Sequence, residues 1–204
     1  MIAIVDYGAG NLTSVQRALQ RLGREAEIVS AAQAVCAAER VVFPGVGAAG
    51  ETMANLRAAG LDRALREAFA SGTPLLGICI GAQIVFERSE EDGAECLGLL
   101  PGEARKFRAS GLKTPQIGWN QVRFRKPHPL FEGVPDGAEF YFVNSYHPAP
   151  ADEGDVFATT EYGTEFASVV GRGNLVATQF HLEKSGEVGL KMLDRFCEWD
   201  GRVQ

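Results

Sequence analysis

Apolar residues recur along this chain with two different periods, and the alternation between them outlines a fold. Ile2-Ala3-Ile4-Val5 is a short β-branched run that predicts a strand. It ends in Asp6-Tyr7-Gly8-Ala9-Gly10-Asn11, after which Leu12, Val15, Leu19 and Leu22 return at helical spacing until Gly23 stops them. Glu25 to Val29 reads as a second strand and Arg40 to Phe43 as a third, which runs into Pro44-Gly45-Val46-Gly47; alanine-rich residues 31–38 bridge the two. Leu61, Leu65 and Phe69 mark one apolar helix face. Leu75-Leu76-Gly77-Ile78 is apolar throughout, as expected of a central parallel strand covered on both sides, and a helical pattern around Ile84, Val85 and Phe86 follows it. Strands alternating with helices predict an α/β fold with a mostly parallel central sheet flanked by helices.

From about residue 103 the pattern changes to closely spaced strand candidates, most of them separated by turn residues: Glu103 to Phe107, Gln121 to Arg125, Glu139 to Val143, Val156 to Glu161, Phe166 to Val170 and Leu175 to Phe180. These predict an additional antiparallel strand region in the second half. A last helix, roughly Ser185 to Trp199, places Met192, Leu193, Phe196 and Cys197 on one side. The chain carries no repeat, no low-complexity tract and no linker.

Composition narrows the class. With 46% hydrophobic and 23% charged side chains over 204 residues, the chain is not disordered and is expected to form one domain with an adequate core. The net charge of −6 and the absence of a long Lys/Arg run argue against nucleic acid or an anionic membrane as partner, and toward small-molecule chemistry or a protein partner. Met1 to Asp6 lacks a positive region and its apolar run is cut by the aspartate, so it does not read as a signal peptide. Ala68 to Phe86 is uncharged but contains Ser71, Gly72, Thr73, Pro74, Gly77, Gly81 and Gln83, which reads as loop, strand and helix rather than a membrane span. The four cysteines, Cys36, Cys79, Cys96 and Cys197, show no C-x-x-C pair and no close histidine. Free thiols in the cytoplasm are expected, with no metal and no cofactor.

The sharpest chemical feature is Gly77-Ile78-Cys79-Ile80-Gly81, set between an apolar strand and a helical pattern. It has the layout of a nucleophile elbow, in which a tight turn presents the nucleophile above the sheet while small residues two positions either side let strand and helix approach. A thiol at a helix N-terminus also feels the positive end of the macrodipole, which favours the thiolate. The plainer alternative is a buried cysteine between two packing glycines. A catalytic cysteine needs a base, and three histidines are available. His128 lies in Lys126-Pro127-His128-Pro129, a loop without a rigid element. His147 precedes Pro148 and either lines a site or is an exposed loop residue. His181 directly follows the strand Leu175 to Phe180, at a carboxyl edge of the sheet where open α/β folds place their sites.

Glu183 lies two residues on, and in extended geometry both side chains project to one face, which suits a carboxylate that orients the imidazole and stabilises the imidazolium. The alternative is a solvated glutamate at a turn, followed by Lys184 and Ser185 as cap residues. For an oxyanion, the backbone N–H of Ile80 is one donor by elbow geometry, and Pro44-Gly45-Val46-Gly47 is either a second source of amides or a plain tight turn. Gly8-Ala9-Gly10-Asn11 is not a dinucleotide site, because Thr13 replaces the third glycine and no phosphate-loop lysine follows.

These residues resemble the class I, triad-type glutamine amidotransferases, and within them the glutaminase subunits of imidazole glycerol phosphate synthases. The likeness spans nearly the whole chain. It is carried by Asp6-Tyr7-Gly8-Ala9-Gly10-Asn11, Pro44-Gly45-Val46-Gly47, Gly77 to Gln83, Gly98-Leu99-Leu100-Pro101-Gly102, Ile117-Gly118-Trp119-Asn120, Tyr141 to Tyr146, and Phe180 to Gly186. The resemblance implies a single amidotransferase domain over 1–204 in which Cys79, His181 and Glu183 hydrolyse glutamine to glutamate and ammonia through a thioester. It implies substrate contacts at Gly45, Val46, Gly47, Ile80, Gln83, Ser145 and Tyr146, and a partner interface including Tyr141 and Lys184 near the ammonia exit. The implied partner is a (β/α)8-barrel cyclase, bound as a heterodimer, that uses the ammonia in histidine biosynthesis; the Pro44 to Gly47 turn resembles the oxyanion strand that couples glutaminase activity to the partner's ligand.

Four positions depart from the family's usual residues: Leu182 replaces proline, Ala82 methionine, Gln116 histidine, and Asn144 a histidine before the Ser/Thr-Tyr pair. None is in the implied triad. Two rival readings stand beside the first: a glutaminase or γ-glutamyl hydrolase on the same scaffold serving a different synthase, and a non-catalytic scaffold that regulates its partner.

Overall fold

Every residue of Ile2–Val5 and Leu75–Cys79 is buried, so these strands are covered on both faces and make the centre of a layered α/β structure. The computed structural model describes residues 1–8, 10–108 and 111–203. The first half comprises β1 (Ile2–Val5), α1 (Leu12–Arg21), β2 (Ala26–Val29), α2 (Ala32–Cys36), β3 (Arg40–Gly45), α3 (Ala49–Ala58), α4 (Leu61–Ser71), β4 (Leu75–Cys79) and α5 (Ile80–Ile84). The second comprises β5 (Arg88–Ser89), β6 (Gly102–Lys106), β7 (Gln116–Gln121), β8 (Arg123–Phe124), β9 (Glu139–Asn144), β10 (Tyr146–Pro150), β11 (Val156–Glu161), β12 (Glu165–Arg172), β13 (Leu175–Thr178) and α6 (Gly186–Glu198).

The main sheet has eight strands in the order β2-β1-β3-β4-β13-β12-β11-β8. Pairing is parallel from β2 through β13 and antiparallel from β13 to β8. Alternation along the strands divides the core in two. Ile2, Ile4, Val42, Leu76, Ile78 and Val176 pack toward Val15 and Leu19 of α1 and Met192, Leu193 and Phe196 of α6. Ala3, Val5, Val41, Phe43, Leu75 and Ala177 pack with Val35 of α2, Met53 and Leu56 of α3, and Leu61 and Leu65 of α4. Each such large side chain contributes roughly 1.5–3 kcal/mol when taken fully out of water. A three-stranded sheet, β10-β6-β5, and a ribbon of β7 and β9 stand beside the main sheet.

The structure corrects several sequence expectations. Gln121 to Arg125 is not one strand: the chain leaves the β7–β9 ribbon and joins the main sheet through β8, changing sheets at Val122. The strand expected to reach Phe180 ends at Thr178, where Thr178 Oγ1 donates to Phe180 O at 3.0 Å and turns the chain. The helix expected around Val85 and Phe86 ends at Ile84. The bridge over 31–38 contains the short α2, and α3 was not foreseen, because its buried positions Ala49, Thr52, Met53 and Leu56 have helical spacing but few large apolar groups. β10 contains Pro148 and Pro150 and is tolerated because it is an edge strand pairing only with β6.

His128 is no loose loop residue. It is buried, accepts a hydrogen bond from the Leu130 N–H at Nδ1 (3.1 Å), and packs its ring 4.9 Å from both Phe157 and Trp199. Burial, with a smaller contribution from the Lys126 charge, pushes its pKa down from 6.5 to about 4. Folding therefore favours the neutral ring: its contribution is fully present above pH 6.5 and is lost as the pH falls toward 4. His128→Asn, which keeps an acceptor for Leu130, is expected to flatten the decline of thermal stability over that interval. Parallel acid limbs for the two proteins would remove His128 as a cause.

The crossing of β4 and α5 is set by glycines. A Cβ on Gly77 would lie 2.8 Å from the Gly81 carbonyl oxygen, and one on Gly81 would lie 2.4 Å from the carbonyl oxygen of Phe43 on β3. Backbone on both sides leaves nothing to move aside. Gly81→Ala is expected to cost about 1–3 kcal/mol in denaturant unfolding; a midpoint equal to that of the native chain would show that the strand and helix can separate freely.

Candidate active site

The parallel ladders bring three strand ends together. Gly45 at the end of β3 sits opposite Cys79 at the end of β4, and Thr178 of β13 sits opposite Ile78, so the residues following β13 arrive beside the sulfur. This is the carboxyl edge where open α/β sheets hold ligands. Cys79 itself has φ 57° and ψ −104°, a backbone conformation strained for a residue with a side chain, costing roughly 1–3 kcal/mol. The fully buried β4 and α5 on either side hold it there. α5 spans only Ile80–Ile84, so the geometry of the turn, more than a long helix dipole, sets the sulfur's surroundings. Cys79 Sγ donates to the Val143 carbonyl at 3.8 Å and accepts from Gln179 Nε2 at 3.9 Å.

His181 and Glu183 meet through Nδ1 and Oε1 at 2.9 Å, with both side chains almost entirely buried. The expected extended geometry is not what aligns them. His181 is extended, but Leu182–Lys184 forms a 3-10 turn that folds the carboxylate back onto the ring. The His181 N–H donates to Tyr141 O at 3.0 Å, and Ser185 Oγ donates to His181 O at 2.5 Å while accepting the Tyr141 N–H at 3.0 Å. Ser185 is therefore a clip between His181 and β9 and makes no side-chain cap hydrogen bond to α6.

Burial alone would lower the His181 pKa, but its interactions with Cys79 and Glu183 outweigh burial and raise it, so the ring holds a second proton most strongly once the sulfur is ionised. Nε2 has no hydrogen-bond partner of normal geometry among the described residues, and neither has Glu183 Oε2. With Nδ1–H directed at Glu183, Nε2 is the free nitrogen, and such contacts commonly tighten only when substrate is bound.

A cavity of about 280 Å³ opens above the sulfur. Val46, Gly47, Cys79, Ile80, Gln83, Ser145, Tyr146, His181 and Lys184 line it, so most of the site positions named from the sequence share one wall. Gly45, Glu183 and Tyr141 stand behind it. At Gly45 a Cβ would fall 1.5 Å from the Tyr7 hydroxyl and 2.5 Å from Ile80 Cγ2, so only glycine fits. The Tyr7 hydroxyl, whose pKa burial raises, donates to Pro44 O at 2.9 Å and braces the turn. His147 lies elsewhere, on β10, with its ring 4.9 Å from Phe107.

Two polar residues at the site, Glu91 and Gln179, are not singled out in the sequence reading, and neither is the cavity position of a third, Asn144. Glu91 is on the cavity wall; burial raises its pKa, partly offset by the Ala49 N–H that donates to Oε2 at 2.8 Å. Nothing in its local sequence signals this. Gln179 lies two positions before His181, and that spacing was a usable signal. Asn144 lines the cavity and faces Gln116 directly across the β7–β9 ladder, so two departures from the family pattern form one cross-strand pair. Both are buried, and Asn144 Oδ1 and Gln116 Oε1 receive no hydrogen bond among the described residues.

Known proteins are similar to this chain in sequence and in fold. Residues 3–198 match the family described as Glutamine amidotransferase class-I. The chain is 51% identical over 197 residues to the imidazole glycerol phosphate synthase subunit HisH of Dehalococcoides mccartyi, covering 96% of each, and 52% identical over 198 residues to that of Moorella thermoacetica, covering 97% of this chain and 94% of the relative. Among solved structures, one described as a glutamine amidotransferase superposes with a TM-score of 0.77 at 20% identity, covering 98% of this chain and 100% of the other. The glutaminase domain of Trypanosoma brucei CTPS with bound acivicin gives 0.67 at 14%, covering 100% and 97%; likenesses at such identities establish the fold. The family match over nearly the full length, together with this fold, shows that the chain belongs to the class-I glutamine amidotransferases.

Proposed function

We propose that this chain is the glutaminase subunit of an imidazole glycerol phosphate synthase, hydrolysing glutamine and passing the ammonia to a (β/α)8-barrel cyclase in histidine biosynthesis. The observation that carries the chemistry is that His181, hydrogen-bonded from behind to Glu183, shares a cavity with a strained Cys79. The near-complete coverage of HisH relatives at about half identity supports the pathway.

Cys79 gives its proton to His181 Nε2 and attacks the side-chain carbonyl carbon of glutamine. Glu183 holds the imidazolium so formed. The carbonyl oxygen becomes an oxyanion beside the backbone amides of Ile80 and of Val46 or Gly47. A preorganised donor at such a point contributes about 2.7–4 kcal/mol to the barrier. The C–N bond then breaks, His181 returns the proton to the departing ammonia, and water hydrolyses the thioester through the same base. Gln83, Ser145 and Tyr146 hold the substrate. Glu91 supplies a carboxylate to its α-ammonium.

The docking face is the outer side of the β7–β9 ribbon, where Ile117 is 59% and Trp119 54% exposed. Trp119 packs edge-on against Tyr141, and Lys184 Nζ lies 6.0 Å from the Tyr141 ring centroid. Exposed apolar side chains on a rigid ribbon next to the cavity suit a partner that receives ammonia directly. The described residues include no helix long and apolar enough to cross a membrane. We place the reaction in the cytoplasm, where the free thiols of all four cysteines persist.

In the complex with the cyclase and its ligand, Cys79→Ala is expected to abolish glutamate release, and undiminished turnover would falsify the nucleophile assignment. Copurification with a synthase other than a barrel cyclase would redirect the pathway claim. Glu91→Gln keeps the acceptor for Ala49 and removes the charge; it is expected to raise KM for glutamine roughly tenfold with kcat little changed. A fall in kcat at constant KM would assign Glu91 to the chemical step instead.

A further inference from the structure

Gln179 is fully buried directly beside the sulfur. Its Oε1 accepts from Gln83 Nε2 at 3.1 Å, and Gln83 Nε2 also donates to Tyr146 O at 3.1 Å, which receives Asn144 Nδ2 at 2.9 Å. Because a donor occupies its oxygen, the amide of Gln179 can present only its NH2 end to Cys79, at 3.9 Å. The neutral thiol directs its own hydrogen to the Val143 carbonyl. Once the proton leaves, that carbonyl no longer receives it from the sulfur and repels the anion. The Gln179 N–H is then the side-chain donor already aimed at the anion, and in a site screened from water such a charge-assisted bond strengthens and shortens.

We infer that Gln179 is a further catalytic residue whose side-chain N–H stabilises the Cys79 thiolate. The inference rests on Cys79 being the nucleophile. The donor acts twice. It acts first when the S–H proton passes to His181 Nε2. It acts again when water, giving its proton to His181, adds to the thioester carbon, the C–S bond breaks and the electron pair returns to sulfur. The remaining contacts keep the amide in register, so that the Tyr146 segment, which lines the substrate cavity, is linked through Gln83 to the reacting atom.

The test uses the synthase assembled with its cyclase and the cyclase ligand. Gln179→Glu keeps length and the acceptor for Gln83 but replaces the donor; Gln179→Met removes the polar end. Both are expected to lower kcat for glutamate release roughly 10- to 100-fold with KM within about threefold, and to slow alkylation of Cys79 by iodoacetamide in proportion. Relative to the native chain, Gln179→Glu is expected to recover as the pH falls, because a protonated carboxyl again offers a hydrogen, whereas Gln179→Met does not. Native kcat and alkylation rates in either folded variant would overturn the proposal, as would an absent pH recovery.

Should neither variant fold, the side-chain amide resonance of Gln179 in the native chain decides. It is expected to shift over the pH range in which Cys79 becomes reactive, and a stationary resonance refutes the contact. Cys79→Ala separates the two claims, since glutamate release surviving in that variant removes the nucleophile reading itself.

Discussion

The site depends on one pairing choice in the main sheet: β13, from near the end of the chain, lies parallel to β4, between β4 and the antiparallel half. That ladder carries no chemistry, yet its register places Thr178 against Ile78 and so delivers Gln179 and His181 to the edge where β4 ends in Cys79. The ladder between β3 and β4 does the same for Gly45 on the other side. Because side chains alternate with a period of two, a slip of one residue in either pairing would turn the reacting groups to opposite faces of the sheet. The buried apolar residues on both faces, by penalising any such slip, are what keep sulfur and imidazole in the same cavity.

Strain and rigidity are matched around that edge. Cys79 is held at positive φ between the fully buried β4 and α5. Gly77 and Gly81 bring backbone against backbone, and Gly45 admits the Tyr7 hydroxyl and Ile80 where any side chain would collide. On the histidine side, the Ser185 hydroxyl and the Tyr141 backbone clip His181 to the ribbon. The same ribbon turns Ile117 and Trp119 outward, so the element that fixes the base also forms the proposed docking face.

How far the site was legible follows from range. The elbow glycines, the cysteine and the His-x-Glu spacing are local, and local sterics require them in sequence as in space. Gln179 was within reach of the same reasoning, since the strand predicted over Leu175 to Phe180 puts it, by alternation, on the side of His181. Glu91 and the Gln116–Asn144 pair were not. Glu91 reaches the cavity only because α3 and the chain after β5 pack together, with its carboxylate on the Ala49 N–H. Gln116 and Asn144 meet only through the β7–β9 register. The burial of His128 was hidden for a related reason: the loop Lys126-Pro127-His128-Pro129 carries no rigid element of its own, and Phe157 and Trp199 pack against the ring only in the folded chain.

The sequence by itself determined the alternation of strands and helices, the mostly parallel sheet, the turn that strains Cys79, and the three residue types for the proposed hydrolysis. All of these rest on spacing within a few residues, where backbone geometry dictates which side chains share a face. Tertiary structure alone decided that Gln121 to Arg125 divides between two sheets, and that Glu91 and Asn144 come to line the cavity above the sulfur. Those outcomes depend on which distant segments bury one another, and burial is a property of the packed whole that no local pattern encodes.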